Sequence, residues 1–235
     1  MIVGHRLELH TLPSMPMIKR RGDSHPLGPK GSGYVTLQEQ FGQIDIYLFD
    51  QILRGNITPA MRVLDAGAGS GRNLIYLMRH GCKVFGVDVD AQAVEHLRGL
   101  ALSYGDPSPA ENFRVATVEQ MPFADAVADA VICSAVLHFA RSKEHFEAML
   151  HELWRTLRPG GLLFCRLASR IGMAFELVRE GIYRVGDAEW FLVDEPMLLH
   201  YTHLLGGEQV DPLKTTLVQG HRAMTTWVLR KPIAR

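Results

Sequence analysis

Val63-Leu64-Asp65-Ala66-Gly67-Ala68-Gly69-Ser70-Gly71-Arg72-Asn73 reads as a buried strand entering a glycine-dense turn and then a helix. Glycines in such a turn let the backbone pass close under a ligand and aim amide groups at its polar atoms. A second strand, Lys83-Val84-Phe85-Gly86-Val87, ends on Asp88, 17 residues after Gly71. A carboxylate at the tip of strand two can accept two hydrogen bonds from vicinal ribose hydroxyls, so the pair of features indicates an adenosine-containing ligand. The dinucleotide fingerprint is GxGxxG, whereas this loop places Arg72 where the third glycine of that fingerprint falls. An arginine there obstructs the close approach of a pyrophosphate, which disfavours a nicotinamide-dependent oxidoreductase.

Outward from the loop, short β-like runs alternate with helical ones. RVLDA leads to a helix over Arg72 to His80, KVFGVD to a helix from about Ala91 to Tyr104, and FRVATV and ADAVICSA to a helix from Ser142 to Leu157 before GLLFCRL. Such alternation predicts a parallel sheet with helices on both faces. Upstream, Thr36 with Glu39 makes a capping box. Leu37, Phe41, Ile44, Leu48 and Ile52 then recur at helical spacing as far as Gly55, predicting one amphipathic helix. Residues 168 to 205 read as largely helical and irregular, with Asp194 capping a helix over Met197, Leu198, Tyr201 and Leu205. Two β-like runs near Gln209 to Val218 and Ala223 to Leu229, joined by Gln219 and Gly220, suit an antiparallel hairpin.

DAGAGSG followed by VDVD resembles the first two motifs of class I S-adenosylmethionine-dependent methyltransferases, of the type 11/12 kind. VEQMPF at 118 to 123, ADAVICSAVLHF at 128 to 139 and LRPGGLLF at 157 to 164 follow in that family's order. GSGRNLIYLMRHG is similar to the tellurite-resistance and thiopurine branch. The resemblance covers roughly Thr36 to Leu167 and implies a Rossmann-like, doubly wound α/β fold. Its sheet would be seven-stranded and mostly parallel, with a C-terminal antiparallel hairpin and helices on both faces. It also implies S-adenosyl-L-methionine as cofactor and methyl transfer to a small-molecule acceptor by in-line displacement. A non-catalytic S-adenosylmethionine-binding regulatory or partner module is the alternative.

The resemblance further implies roles for individual residues. Gly67, Gly69 and Gly71 would floor the cofactor site, Asp65 would lie near the amino-acid end, and Asp88 would hold the ribose with Val89 against adenine. Asp90 suits a helix cap. Aligning on Met121-Pro122-Phe123 puts Thr117 where the family commonly has an acidic residue for the adenine amino group, and Val118 at the following amide. The Thr117 hydroxyl can accept one such bond, or Glu119 reaches the adenine instead. Ser134 would contact the methionine part. His138 is a candidate general base, weighed against a histidine merely satisfied at a helix or loop edge. Acceptor specificity is expected from the first helix with Phe41 and Tyr47, and from the stretch after strand five with Arg166, Arg170, Met173, Phe175, Tyr183, Trp190 and Phe191.

The chain has 235 residues with 25 Lys plus Arg and 25 Asp plus Glu. The balance hides basic ends: residues 1–30 carry +3, 31–211 carry −8 and 212–235 carry +5. We expect a flexible basic leader over 1–34 and one methyltransferase domain over 35–235. Within that domain, 168–206 forms a substrate-side insert between strands five and six. Three cysteines without paired spacing, no metal-ligand cluster and no long apolar run imply a soluble, cytoplasmic protein with reduced thiols and no bound metal. The expected partner is the small-molecule acceptor alone, the acidic body disfavours nucleic acid, and the state is monomer or homodimer.

Overall fold

The computed structural model describes residues 36–233; the basic leader lies outside them. Thr36 opens α1 (Leu37–Phe41) with the expected capping box, its hydroxyl accepting from Glu39 N–H while the Glu39 carboxylate accepts from Thr36 N–H at 2.8 Å. The single helix expected to run to Gly55 is instead two. Gly42 takes φ 63°, ending α1, and Asp45 caps α2 (Ile46–Leu53) by accepting from the Tyr47 and Leu48 amides.

The chain then winds β1 (Arg62–Ala66), α3 (Ile75–Arg79), β2 (Lys83–Asp88), α4 (Ala91–Ser103), α5 (Pro109–Asn112), β3 (Phe113–Val115), β4 (Ala128–Ser134), α6 (Lys143–Thr156) and β5 (Leu157–Ser169). Helix α3 starts later than the periodicity suggests, because residues 72–74 continue the glycine turn. Asp90 and Ser142 cap α4 and α6 through side-chain oxygens.

After β5 the expectation of largely helical structure holds only in its second half. Residues 176–191 form a three-stranded antiparallel sheet of β6 (Glu176–Arg179), β7 (Ile182–Val185) and β8 (Ala188–Phe191). Gly181 at φ 73° and Gly186 at φ 60° make its turns. Asp194 does cap the helix that follows, α7 (Glu195–Leu204), by accepting from Met197 N–H at 2.9 Å. The short β9 (Glu208–Gln209), then β10 (Lys214–Val218) and β11 (Arg222–Arg230), complete the chain, the last two joined through Gln219 and Gly220.

The main sheet runs β3-β2-β1-β4-β5-β11-β10, with β9 an eighth short strand on β11. Its first five members are mutually parallel, and β11 lies antiparallel between β5 and β10. Strand alternation splits the core. Leu64, Ala66, Cys133 and Cys165 pack with α6 residues Phe146, Leu150 and Leu153, while Val63, Ile132 and Phe164 pack with Leu48, Leu77 and Leu97 on the other face. Strand order reverses between β1 and β4, and in open α/β sheets the crevice at the carboxyl ends of those strands receives ligands.

One buried carboxylate docks α2 there. Asp45 Oδ2 accepts from Arg166 Nη1 at 3.0 Å and from Ser134 Oγ at 3.4 Å, while Asp45 N–H donates to Asn73 Oδ1 at 3.1 Å. The Asp45 side chain is 2% exposed and that of Arg166 22%, so removing one charge strands the other in a poorly solvated place. Asp45→Asn, which keeps the cap, is expected to lower unfolding free energy by roughly 2 to 3 kcal/mol in urea titration. An unchanged midpoint would show that the ion pair contributes nothing.

Candidate functional site

The glycine turn sits at that reversal, and its three glycines serve different needs. All have positive φ, at 82°, 52° and 82° for Gly67, Gly69 and Gly71. A Cβ on Gly67 would collide with Val136 Cγ2, and one on Gly71 with Leu97 Cδ1, whereas one on Gly69 would meet open space. Two glycines therefore close the loop onto the fold. The third leaves its rim open, where backbone can approach a ligand.

Asp88 ties the far side of the site to this rim. Its Oδ2 accepts from Gly69 N–H at 2.8 Å and its Oδ1 from Asp90 N–H at 3.0 Å. Each carboxylate oxygen accepts more than one bond, so both retain capacity for a pair of hydroxyls. Val89 beside it is 70% exposed, an apolar surface of the size a planar base can cover.

Thr117 is exposed at the end of β3, and Val118 behind it is buried. Glu119, the alternative adenine partner, has its carboxylate engaged by neighbouring side chains. Its Oε1 lies 3.1 Å from His145 Nε2 and 3.8 Å from Arg141 Nη2. Burial raises its pKa, but its own backbone bond, the His145 charge and bonds from His145 and Thr117 prevail, and the net shift is downward.

After β4 the chain turns through Ala135, a non-glycine at φ 64° whose amide donates to Arg166 O at 2.7 Å. Left-handed alanine is strained, and here the turn brings Val136 under Gly67. Ser134 Oγ takes a 3.3 Å bond from Arg72 Nη2 and is 7% exposed. His138 is 4% exposed, with ring centroids 4.5 Å from Phe139 and 4.7 Å from Trp190. Its Nδ1 accepts from Ala168 N–H at 3.4 Å. Burial first, then the Arg222 charge, lowers its pKa to about 4, so the neutral imidazole is the favoured form in the fold.

Among the acceptor-side residues, Trp190, Tyr183 and Phe175 pack on the buried cluster of Ala168, Val185, Leu192 and Met224, and Arg170 lies over the Tyr183 ring at 5.9 Å. Phe191 instead stacks on Phe146 in the core, centroids 4.8 Å apart. Sequence reasoning missed Asp45 and Asn73. The signal was Gly42 three residues before Asp45, a helix stop followed by a cap.

Asp65 is 1% exposed, and neither carboxylate oxygen has a hydrogen-bond partner among the described residues. Burial raises its pKa to about 7 against the opposing pull of Arg72 and Asn73. The neutral acid is favoured in the fold, so stability is full below the unfolded value near 4 and falls as pH climbs to about 7. Asp65→Asn should therefore raise Tm at pH 8 but hardly at pH 4.5. A difference that does not grow with pH would refute the buried, uncompensated carboxylate.

Residues 64–165 match the family model described as a methyltransferase domain. The chain is 28% identical over 131 residues to the tRNA 5-carboxymethoxyuridine methyltransferase of Escherichia coli strain K12, covering 55% of this chain and 49% of that protein. It is 34% identical over 109 residues to the malonyl-[acyl-carrier protein] O-methyltransferase of Enterobacter lignolyticus, covering 46% and 39%. Against these curated relatives it thus spans half their length or less. Burkholderia thailandensis 1,6-didemethyltoxoflavin-N1-methyltransferase, solved with 1,6-didemethyltoxoflavin and S-adenosylhomocysteine, shares the fold. The two superpose with a TM-score of 0.63 at 20% identity, over 82% of this chain and 80% of that one. The open rim at Gly69, the Asp88 carboxylate tied to it and the unpartnered Asp65 suit a ligand with a ribose and a cationic group, and residues 64–165 carry the match to a methyltransferase domain, of the kind whose class I members take S-adenosyl-L-methionine as cofactor.

Proposed function

We propose that the chain transfers a methyl group from S-adenosyl-L-methionine to a small-molecule acceptor. The observation that carries this reading is the open glycine rim tethered by Gly69 N–H to the Asp88 carboxylate at the reversal of strand order. Asp88 takes the ribose hydroxyls, Val89 packs on adenine, and the Thr117 hydroxyl with the Val118 amide meets the adenine edge. Ser134 and Asp65 stand at the methionine end, over Gly67 and Gly71.

When bound, the cofactor supplies an electrophilic methyl group on a sulfonium. The protein's part is alignment and exclusion of water. His138, Phe139 and Trp190 form an aromatic wall beside the end of β4, and Phe139 is 60% exposed on it. With its pKa lowered by burial, His138 offers little driving force for taking a proton from an alcohol. This favours acceptors that ionise without a base from the protein, carboxylates fully and thiols in part near neutral pH, a class that includes the malonyl group in the name of the Enterobacter relative.

The E. coli relative's name raises a tRNA acceptor as the second reading. The arginines of the inserted sheet argue against it, since Arg179 pairs with Glu189 and Arg184 with Glu176 and Glu189; just ahead of that sheet, Arg170 pairs with Asp194. Cations neutralised in this way give little counterion release on a phosphate backbone.

Labelled methyl transfer to a panel of carboxylates, thiols and bulk tRNA decides between these readings. Turnover on a small anion supports the proposal, turnover on tRNA alone replaces its acceptor, and none on any member favours a non-catalytic binding module. Asp88→Ala is expected to weaken S-adenosylhomocysteine binding by about 1 to 3 kcal/mol in calorimetry. An unchanged Kd would misplace the ribose.

A further inference from the structure

Thr226 on β11 stands opposite Arg166 on β5, and Arg166 stands opposite Ser134 on β4. Strand alternation puts all three side chains on the face that carries Phe164 and Val228, toward the carboxyl ends of the parallel strands. Cross-strand partners of this kind hold their Cβ atoms roughly 5 Å apart. Two atoms in the row are orphaned. Thr226 is 4% exposed and its Oγ1 is buried without a hydrogen-bond partner among the described residues, as is the Nε of Arg166. Nearby hydroxyls show no such deficit: Thr225, on the opposite face, donates to Ser169 Oγ at 2.7 Å, and the Tyr47 hydroxyl lies 2.5 Å from Thr216 Oγ1.

A buried donor without a partner is destabilising, and this fold leaves two of them side by side. Arg166 gives Nη1 to Asp45 Oδ2 at 3.0 Å, while Nη2 is unbonded among the described residues and not sealed from solvent. The Nε–Nη2 edge of the guanidinium is therefore unspent. Arg72 Nη2 also reaches Ser134 Oγ, at 3.3 Å, so two guanidiniums meet the one Asp45 carboxylate here and leave the row net positive.

A thiolate has a single centre and cannot span that edge, and an amine brings protons to donors. A carboxylate matches the edge with two oxygens. Resting on the methyl transfer proposed above, the geometry points to Arg166 and Thr226 as the acceptor subsite: the guanidinium edge takes a carboxylate, and the Thr226 hydroxyl donates to one of its oxygens beside Ser134. Asp45 and the Tyr47 ring, 5.0 Å from the guanidinium carbon, hold the fork in place from α2. A carboxylate oxygen forms the bond to the methyl carbon as the methyl–sulfur bond breaks with its electron pair left on sulfur. The products are a methyl ester and S-adenosylhomocysteine, and no proton moves, so no base is required. The ester has lost the charge that the fork holds, which favours its release.

Thr226→Val keeps the shape of the side chain and removes its hydroxyl, and Arg166→Lys keeps the charge facing Asp45 and removes Nε. Labelled methyl transfer is to be measured on phenylacetate, octanoate and monoethyl malonate, each beside its amide, and on benzenethiol and bulk tRNA. The native protein should methylate the acids and leave the amides. Thr226→Val should raise KM for an acid about 5- to 10-fold, with kcat and S-adenosylhomocysteine affinity within about twofold, and Arg166→Lys should raise it further. In the native protein loaded with S-adenosylhomocysteine, the Arg166 Nε–H resonance should move downfield with phenylacetate and stay in place with phenylacetamide. Kinetics on an acid that Thr226→Val leaves unchanged, a resonance that ignores phenylacetate, or turnover confined to benzenethiol or tRNA would overturn the subsite while methyl transfer stands. Turnover on none of these acceptors removes the methyl-transfer reading, and the subsite with it.

Discussion

No side chain fits between the glycine turn and the two residues pressed against it, and much of the site follows from that exclusion. Val136 reaches Gly67 because β4 ends in the left-handed Ala135, and Leu97 reaches Gly71 because α4 lies flat on the sheet beside β2. The loop is thereby pinned at both ends by apolar contact, which holds Gly69 and its amide in front of Asp88 without a side chain to position them. Larger residues at the pinned positions would push β4, α4 and the rim apart together. The candidate site is in this sense a product of packing, and its polar contacts are laid over a shape the core has already set.

A second layer holds that shape against α2. Asp45 caps the helix with one carboxylate oxygen and meets Arg166 and Ser134 with the other, while its amide is taken by Asn73. Arg166 also lies 5.0 Å from the Tyr47 ring centroid, and the Tyr47 hydroxyl is 2.5 Å from Thr216 on β10. Five segments distant in sequence thus share one small polar cluster above the carboxyl ends of the strands. A buried cluster of this kind contributes modest net stability but tolerates few alternative arrangements, which suits a surface that must meet a ligand repeatedly in one geometry.

The central sheet was legible in the sequence because its signals are local. Continuous apolar strands, capping residues at Asp90 and Ser142, and the glycine turn each act within a few residues, and each lies where the pattern puts it. The misreadings arose where local and long-range demands differ. Apolar spacing from Leu37 to Ile52 fits one helix, but Gly42 and Asp45 divide it, and the reason lies in Arg166 and Asn73, far away in sequence. Residues 176–191 carry alternating side chains broken by Gly181 and Gly186, a hairpin pattern obscured by short strands and exposed apolar residues such as Leu177. Glu119 was a reasonable adenine partner by position. That His145, two elements later, would meet its carboxylate is a fact of packing that no spacing rule contains.

The chain's three cysteines are all inside: Cys82 at the entry to β2, and Cys133 and Cys165 opposite one another on β4 and β5. Burial pushes the Cys82 thiol up to about 12 and the other two well above their ordinary value, so the reactive thiolate is scarce at each. The protein is consequently ready for site-directed spectroscopy without removal of its native thiols. A single cysteine set at exposed Leu177 on the inserted sheet would take a fluorophore or spin label almost alone, and could report how that sheet responds when an acceptor arrives.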